Sequence, residues 1–457
     1  MNIQNVISEK KIFETLASTA NPHESRVLCV LEKAGQKKGL TLEDVAILVN
    51  TNDSALVEKM FHVAEKIKKE IYGDRLVLFA PLYISNYCVN NCDYCGFHNA
   101  NPILRKKLSL VEVAEQTKLL IDMGHKRLLL EFGEDPKENP IDYVVDVIKT
   151  IYNTKSGNGE IRRVNVNISA TTVSDYKKLK DAGIGTYQLF QETYHCETYE
   201  KYHHGPKGDY QRQLFAHDRA FEGGIDDVGL GVLFGLYDWR FDVLGVVSHG
   251  QYLDRKYGVG PHTISVPRIR KAETVRESFL YAVTDEDFLK IIAILRMAVP
   301  YTGMIISTRE TPKIRAKAFE IGISQTSAGS CTSPGGYGGG DEPGQFKVSD
   351  KRSMSEVIEG ILEQGLLPSY CTACYRRGRT GHSFMELAKP GDINKLCLPN
   401  AIITFEEYLL DYGSKKSKEI GDKMIQELLS DMNDLDLKRE ILDRLKKIKS
   451  GERDLFF

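Results

Sequence analysis

Eight short apolar runs, each followed by a stretch with helical spacing, organise the middle of this chain and restrict its architecture more than any other feature. They are Leu76–Ile84, Arg127–Phe132, Val164–Ile168, Tyr187–Phe190, Val228–Phe234, Thr263–Val266, Met304–Ser307 and Ile323–Ser327. Near-continuous apolar runs suit strands buried on both faces, the condition of a parallel sheet, and the intervening helices supply the crossovers that parallel strands require. Eight such units predict an α/β fold, a (β/α)8 barrel of TIM type. The first crossover is well signalled: Ser109 and Glu112 form a capping box ahead of Val113–Met123, and Gly124 stands just past the helix end.

Residues 1–72 read as an N-terminal helical extension, with Val27, Leu28, Val30, Leu31 and then Val57, Met60, Phe61 and Ala64 at helical spacing. The barrel is assigned to 73–345, and 346–457 to a mostly helical, charged C-terminal domain. Between them Ser333–Gly344 is glycine-rich and reads as a flexible loop; it lacks the lysine and following helix of a phosphate-binding loop. Basic and acidic residues balance, 61 against 63, for a net charge of -2, which gives no electrostatic footprint for nucleic acid or a membrane surface. No apolar run approaches the ~20 residues of a membrane span, and Met1–Lys11 is too polar for a signal sequence. A cytoplasmic location is expected.

The nine cysteines are an odd number, which favours thiolate ligands in a reducing compartment over a disulfide framework. Cys88, Cys92 and Cys95 follow the first strand with CxxxCxxC spacing. Three thiolates are one short of the four that close an iron-sulfur cubane, so the economical reading is a 4Fe-4S cluster with one iron left for a molecule to be activated. The alternative is a structural zinc site completed by His98. Cys371, Cys374 and Cys397 repeat the shortage: a CxxC pair, twenty-two residues, and one more cysteine. A zinc ribbon completed by His382 is the alternative there. Cys29, Cys196 and Cys331 are left over and read as small buried apolar groups.

In a TIM-type barrel the active site is built at the C-terminal ends of the strands. The polar residues expected there are Glu131 and Glu134 after the second strand, then Asn165, Asn167 and Ser169 on the third. Gln188, Gln191 and Glu192 follow from the fourth, Arg268 from the sixth, Ser307 and Arg309 from the seventh, and Ser324 and Ser327 from the eighth.

The first triplet, with Tyr94 before its last cysteine and Gly96-Phe97 after it, resembles the radical S-adenosylmethionine (SAM) enzymes. With the segment Phe190-Gln191-Glu192-Thr193-Tyr194-His195 and the second triplet added, residues 76 to 401 resemble the HydG family of tyrosine lyases that mature FeFe-hydrogenase. ThiH-like tyrosine lyases of thiazole synthesis are similar but lack the second triplet. The resemblance implies that Cys88, Cys92 and Cys95 hold a SAM-binding 4Fe-4S cluster. It places Tyr94 near adenine, and Gln191, Glu192 and Arg268 in contact with SAM. Glu131, Gly133 and Glu134 occupy the glycine-rich motif that receives SAM's amino group, with FGE standing where the family has GGE.

The resemblance further implies that Cys371, Cys374 and Cys397 hold an auxiliary 4Fe-4S cluster, and that His262, just before the sixth strand and so at the opposite mouth, ligates an extra labile iron. L-Tyrosine would be cleaved at Cα–Cβ to p-cresol and dehydroglycine, and dehydroglycine converted to carbon monoxide and cyanide. Arg309 suits the tyrosine carboxylate, since a guanidinium binds it bidentately, and Ser324 and Ser327 would complete the grip. Hydrogenase maturation proteins and a reducing electron donor are the implied partners. An internal tunnel is implied too, with Gly229, Gly231 and Ala328 leaving space. The competing readings are a ThiH-like 2-iminoacetate synthase and a non-enzymatic two-cluster carrier.

Overall fold

Each of the eight predicted strands forms, and together they close. The computed structural model describes residues 2–270, 279–339 and 343–457. The strands are β1 (Arg75–Ser85), β2 (Arg127–Phe132), β3 (Arg163–Asn167), β4 (Tyr187–Gln188), β5 (Val228–Gly231), β6 (Thr263–Ser265), β7 (Gly303–Ile306) and β8 (Gln325–Ser327). All pair in parallel in chain order, and β8 returns to β1 in the register Val77–Gln325, Leu78–Thr326, Phe79–Ser327, which closes the barrel. The expected capping box is present: Ser109 Oγ accepts from Glu112 N and the Glu112 carboxylate accepts from Ser109 N, starting the helix Leu110–Asp122. Gly124 follows with φ +94°, a left-handed backbone that glycine adopts without a Cβ penalty.

A ninth strand, β9 (Leu367–Ser369), pairs in parallel with the first residues of β1, Arg75–Val77, outside the closed ring. It delivers Cys371 to the N-terminal mouth of the barrel. A two-stranded hairpin, Lys155–Ser156 with Gly159–Glu160, also lay outside the sequence expectation; it is too short to carry an apolar pattern.

Among the described residues four α-helices precede β1: Glu9–Ser18, Glu24–Gly35, Leu42–Val49 and Ser54–Tyr72. Val27, Val30, Leu31, Met60 and Ala64 are buried as their spacing predicts, whereas Leu28 is 38% exposed. The long helix Ser54–Tyr72 packs on the barrel helix Asp285–Ala298, and Lys68 Nζ donates to Phe319 O at 2.6 Å. After β8 come Met354–Glu363, Gly381–Ala388, Ile393–Tyr412, Lys415–Ser430 and Leu435–Lys449. Ile393–Tyr412 lies on β9 and carries Cys397. One apolar core runs from Val6 to Ile448, and among the described residues no helix is long and apolar enough to cross a membrane.

The glycine-rich stretch is not a free loop where it is described. Tyr337 OH donates to Pro81 O and Tyr337 N donates to Gln116 Oε1 at 3.0 Å, and just past the stretch Gln345 O accepts from Gly96 N at 3.0 Å beside the first cysteine loop. Positions 340–342 of the expected flexible loop lie outside the described residues.

Candidate active site and second thiol cluster

The strand-end residues converge on a cavity of about 190 Å³ at the C-terminal mouth. Cys88, Cys92 and Cys95 line it together with Tyr94, Glu131, Gly133, Glu134, Glu192, Arg309 and Ser327. The cysteine loop is held by its own hydrogen bonds: Cys95 N donates to Cys92 O at 3.1 Å and Asn99 N to Asn90 O at 2.7 Å. Arg105 adds five, donating to the carbonyls of Asn86, Phe97, His98, Asn99 and Asn101 at 2.7 to 3.2 Å. Burial pushes the Cys92 thiol well up and Cys95 up to about 11, so these thiols keep their protons until a metal displaces them. His98 Nδ1 is already bonded to Cys95 O at 2.7 Å.

The end of β2 lies hard against this loop. A Cβ on Gly133 would meet Tyr87 O at 2.2 Å and Cys88 Cβ at 3.2 Å, so only glycine permits the approach. Glu134 ties the loop to the barrel, accepting from Asn90 Nδ2 at 2.7 Å and Arg212 Nη2 at 2.6 Å. Glu131 accepts from Asn167 Nδ2 at 2.8 Å, and burial raises its carboxyl to about 8. Glu192 holds the left-handed φ of +66° and pairs with Lys207 Nζ at 2.6 Å; that ammonium lies 5.9 Å from the centre of the Tyr94 ring. Tyr94 OH is 2.8 Å from His203 Nε2.

Arg309 lines the cavity from just past the end of β7. Its guanidinium stacks 3.8 Å over the Phe346 ring, and burial lowers its pKa from the ordinary value. Among the described residues its Nε has no hydrogen-bond partner. A buried guanidinium Nε–H left without a partner is costly unless an anion completes it.

At the other mouth a smaller cavity, about 60 Å³, is lined by Cys371, Cys374, Cys397 and His262, with Arg75, Arg127 and Arg163 beside them. Arg127 Nη2 donates to Cys371 O at 2.7 Å. A hydrogen bond from Cys397, with the Arg379, Arg75 and Arg163 charges nearby, holds the Cys374 thiol below its usual range, while Cys397 is pushed up. The His262 ring lies 4.3 Å from the Phe384 ring at a tilt of 47°, and its Nδ1 lies 3.4 Å from Asp227 Oδ1 with no hydrogen-bond partner among the described residues. Burial keeps the imidazole neutral, with a pKa lowered to about 4, and a neutral imidazole is a competent metal ligand. His382 is exposed and lies against Gly258, so it does not complete this set.

The two cavities are one inward-facing layer apart. Val77, Arg127, Gly303 and Gln325 line the lower; two residues on along the same strands, Phe79, Leu129, Ile305 and Ser327 line the upper. Phe79, Leu129 and Ile305 pack together as a small apolar cluster between them.

Comparison with known proteins places this arrangement. The profile of the radical SAM superfamily matches residues 82–242, and that of the biotin and thiamin synthesis associated domain matches 265–367. The 2-iminoacetate synthase of Escherichia coli (strain K12) is 32% identical over 342 residues, covering 74% of this chain and 89% of that protein. A crystal structure of HydG, a maturase of the FeFe-hydrogenase, is similar with a TM-score of 0.96 and 56% identity, covering 99% of this chain and 100% of the other. The FeFe-hydrogenase maturase HydG from Carboxydothermus hydrogenoformans follows with a TM-score of 0.86 and 38% identity, over 97% of this chain and 99% of the other. This chain belongs to the HydG family of radical SAM enzymes.

Membership in the radical SAM superfamily implies a 4Fe-4S cluster and SAM, and the first cavity of this HydG-family chain fits both. It offers three thiols on one wall, a neighbouring tyrosine ring, and an amide- and carboxylate-lined rim where β2 ends. Both matched profiles stop short of Cys371.

Some expected site residues lie elsewhere in this HydG-family barrel. Ser324 lines the lower cavity, its Oγ accepting from Met304 N at 3.1 Å, so it cannot join Arg309 and Ser327 at the upper one. Arg268 is buried and spent on Glu310 and Asp285, and neither it nor Gln191 lines the upper cavity. The space left at Gly229 and Gly231 is filled: Cβ atoms there would meet Gln188 Cγ at 2.7 Å and Phe190 Cδ1 at 2.2 Å. Of the leftover cysteines, Cys29 is exposed and Cys196 and Cys331 are partly so. Lys207, Arg105 and Arg212 were missed. The signal was weak, since each is a basic residue in a loop or short helix far from the strand it serves.

Proposed function

We propose that this chain is a radical SAM tyrosine lyase of hydrogenase maturation. It would cleave L-tyrosine at Cα–Cβ to p-cresol and dehydroglycine, and convert the latter at a second, auxiliary cluster to carbon monoxide and cyanide. The carrying observation is the pair of three-thiol sites at opposite mouths of one barrel, the upper faced by the incompletely partnered Arg309 and the lower by His262.

Cys88, Cys92 and Cys95 would hold a 4Fe-4S cluster, which with SAM and an electron would supply a 5'-deoxyadenosyl radical. The chain's residues do the rest. Arg309 holds the tyrosine carboxylate bidentately, with Ser327 beside it. Tyr94, Glu131, Gly133, Glu134 and Glu192 form the SAM side of the cavity. Phe79, Leu129 and Ile305 give it an apolar floor that excludes water from a reactive intermediate. Dehydroglycine then moves down through this layer to the lower cavity. There HN=CH–COOH yields HCN, CO and water, a division that balances without an external oxidant. Residues 73–345 carry the first step; 346–457, joined by His262 from the barrel, carry the second, with Cys371, Cys374, Cys397 and His262 holding the auxiliary metals. Other maturation proteins receive the product, and a low-potential donor supplies electrons.

The rival reading is a 2-iminoacetate synthase, which the relative from Escherichia coli supports. The buried, neutral His262 beside three thiols favours the two-site reading, since a lyase alone has no use for it. The test is anaerobic reconstitution with iron and sulfide, then SAM, tyrosine and reductant. p-Cresol with carbon monoxide and cyanide is expected; p-cresol without carbon monoxide selects the synthase, and no p-cresol refutes tyrosine cleavage.

A further inference from the structure

The segment after the last helix, Gly451–Phe457, folds back and touches both pieces of chain that supply the cysteines of the second thiol site. Asp454 takes the left-handed φ of +63° and receives Arg376 bidentately, Nη1 and Nη2 each at 2.5 Å. Its Oδ1 also lies 2.9 Å from Nε of the buried Arg162, at the entry to β3. Arg376 and Arg379 belong to the turn that carries Cys371 and Cys374, and Arg379 Nη2 donates to Phe457 O at 2.8 Å. On the other side the segment reaches the helix of Cys397: Asp454 N donates to Glu407 Oε2 and Phe457 N to Asn400 Oδ1, both at 2.9 Å. The Phe456 ring lies under the Arg376 guanidinium at 4.3 Å.

The turn itself has little to hold it. Its helix is four residues long, Ala373–Arg376, with no side-chain cap, and isolated helices of that length do not persist. We infer that Glu452–Phe457 is the positioning element of the second site, setting the Cys371–Cys374 turn against the Cys397 helix. Asp454 is its central residue. The inference rests on the proposed auxiliary cluster for its consequence, but the positioning itself belongs to the polypeptide. A single half-exposed ion pair would do little. Here one carboxylate joins two arginines from separate elements, its own amide adds a third contact to Glu407 on the Cys397 helix, and the Phe456 ring packs on Arg376.

The test uses the full chain with Asp454→Asn, which keeps the size and tolerates the left-handed backbone but removes the charge, and Phe456→Leu, which removes only the stacking. Hydrogen–deuterium exchange on the metal-free protein reads positioning directly; iron content and electron paramagnetic resonance of the reconstituted, reduced protein read its consequence. Asp454→Asn is expected to raise exchange across 370–379 at least tenfold while the 88–101 loop is unchanged, and to halve the bound iron with the SAM-responsive signal retained. Phe456→Leu is expected to give the same pattern, weaker. Unchanged exchange at 370–379 in Asp454→Asn overturns the inference, as does a full second complement of iron in that variant. If the unsubstituted protein binds iron at the first triplet alone, the auxiliary cluster fails, and the exchange result still decides the positioning role.

Discussion

Replacing Arg309 by lysine separates a bidentate carboxylate anchor from a mere positive charge. The guanidinium lies 3.8 Å over Phe346 in the cavity wall, with an Nε that has no partner among the described residues. A carboxylate bound by its fork gains two charge-assisted hydrogen bonds, each contributing about 1.5 to 3 kcal/mol. Lysine keeps the charge and one such bond, loses the other, and gives up ring stacking worth roughly 0.5 to 1 kcal/mol. The expected loss is about 2 to 4 kcal/mol, or roughly 30- to 1000-fold in kcat/KM for tyrosine. The assay is anaerobic p-cresol formation against tyrosine concentration, with 5'-deoxyadenosine counted in the same samples. Slow cleavage of SAM without tyrosine should persist at the unsubstituted rate. A change below threefold in kcat/KM would refute the anchor, and an equal loss of tyrosine-free SAM cleavage would reassign Arg309 to SAM.

Ile305→Phe enlarges the layer between the cavities. Overpacking costs about 1 to 3 kcal/mol of stability, and p-cresol should stay within twofold while carbon monoxide falls more than tenfold and glyoxylate, the hydrolysis product of dehydroglycine, rises; carbon monoxide in step with p-cresol would exclude passage through this layer. Asp242 is fully buried under the segment that positions Glu192, accepting from Tyr194 N at 2.7 Å and Thr193 Oγ1 at 3.0 Å, and burial raises its carboxyl to about 8. Its folded pKa exceeds the unfolded value of about 3.9, so between the two the folded state binds more protons and stability falls as pH rises from roughly 4 to 8. Melting temperature against pH should show this slope in the unsubstituted chain and a flatter one in Asp242→Asn; equal slopes would contradict the assignment.

The barrel was legible because parallel strands buried on both faces must be apolar throughout, and Leu76–Ile84 or Arg127–Phe132 could be little else. The cysteine triplets were legible because each keeps most of its ligands within one turn of chain. β9 was not: it is three residues long with Pro368 at its centre, and pairs only with the first residues of β1. Ser324 was misplaced because it stands just before β8, at the N-terminal mouth; it lines the lower cavity with Gln325, and only Ser327, at the strand's other end, reaches the upper one. Arg268 was read as free for a ligand because its partner Glu310 lies 42 residues away in sequence. Lys207 and Arg105 act from loops whose placement follows from tertiary packing, and no local pattern announces it. The clamp formed by Asp454 and Phe457 is of the same kind, since its partners at 162, 376, 379, 400 and 407 meet only when the chain has folded.

The central claim is a division of labour between two open thiol sites, and the double substitution Cys371→Ala with Cys374→Ala tests it most directly. Reconstituted anaerobically and supplied with SAM, tyrosine and reductant, this variant is predicted to form 5'-deoxyadenosine and p-cresol at near the unsubstituted rate and to release no carbon monoxide. Carbon monoxide at the unsubstituted yield would contradict the account.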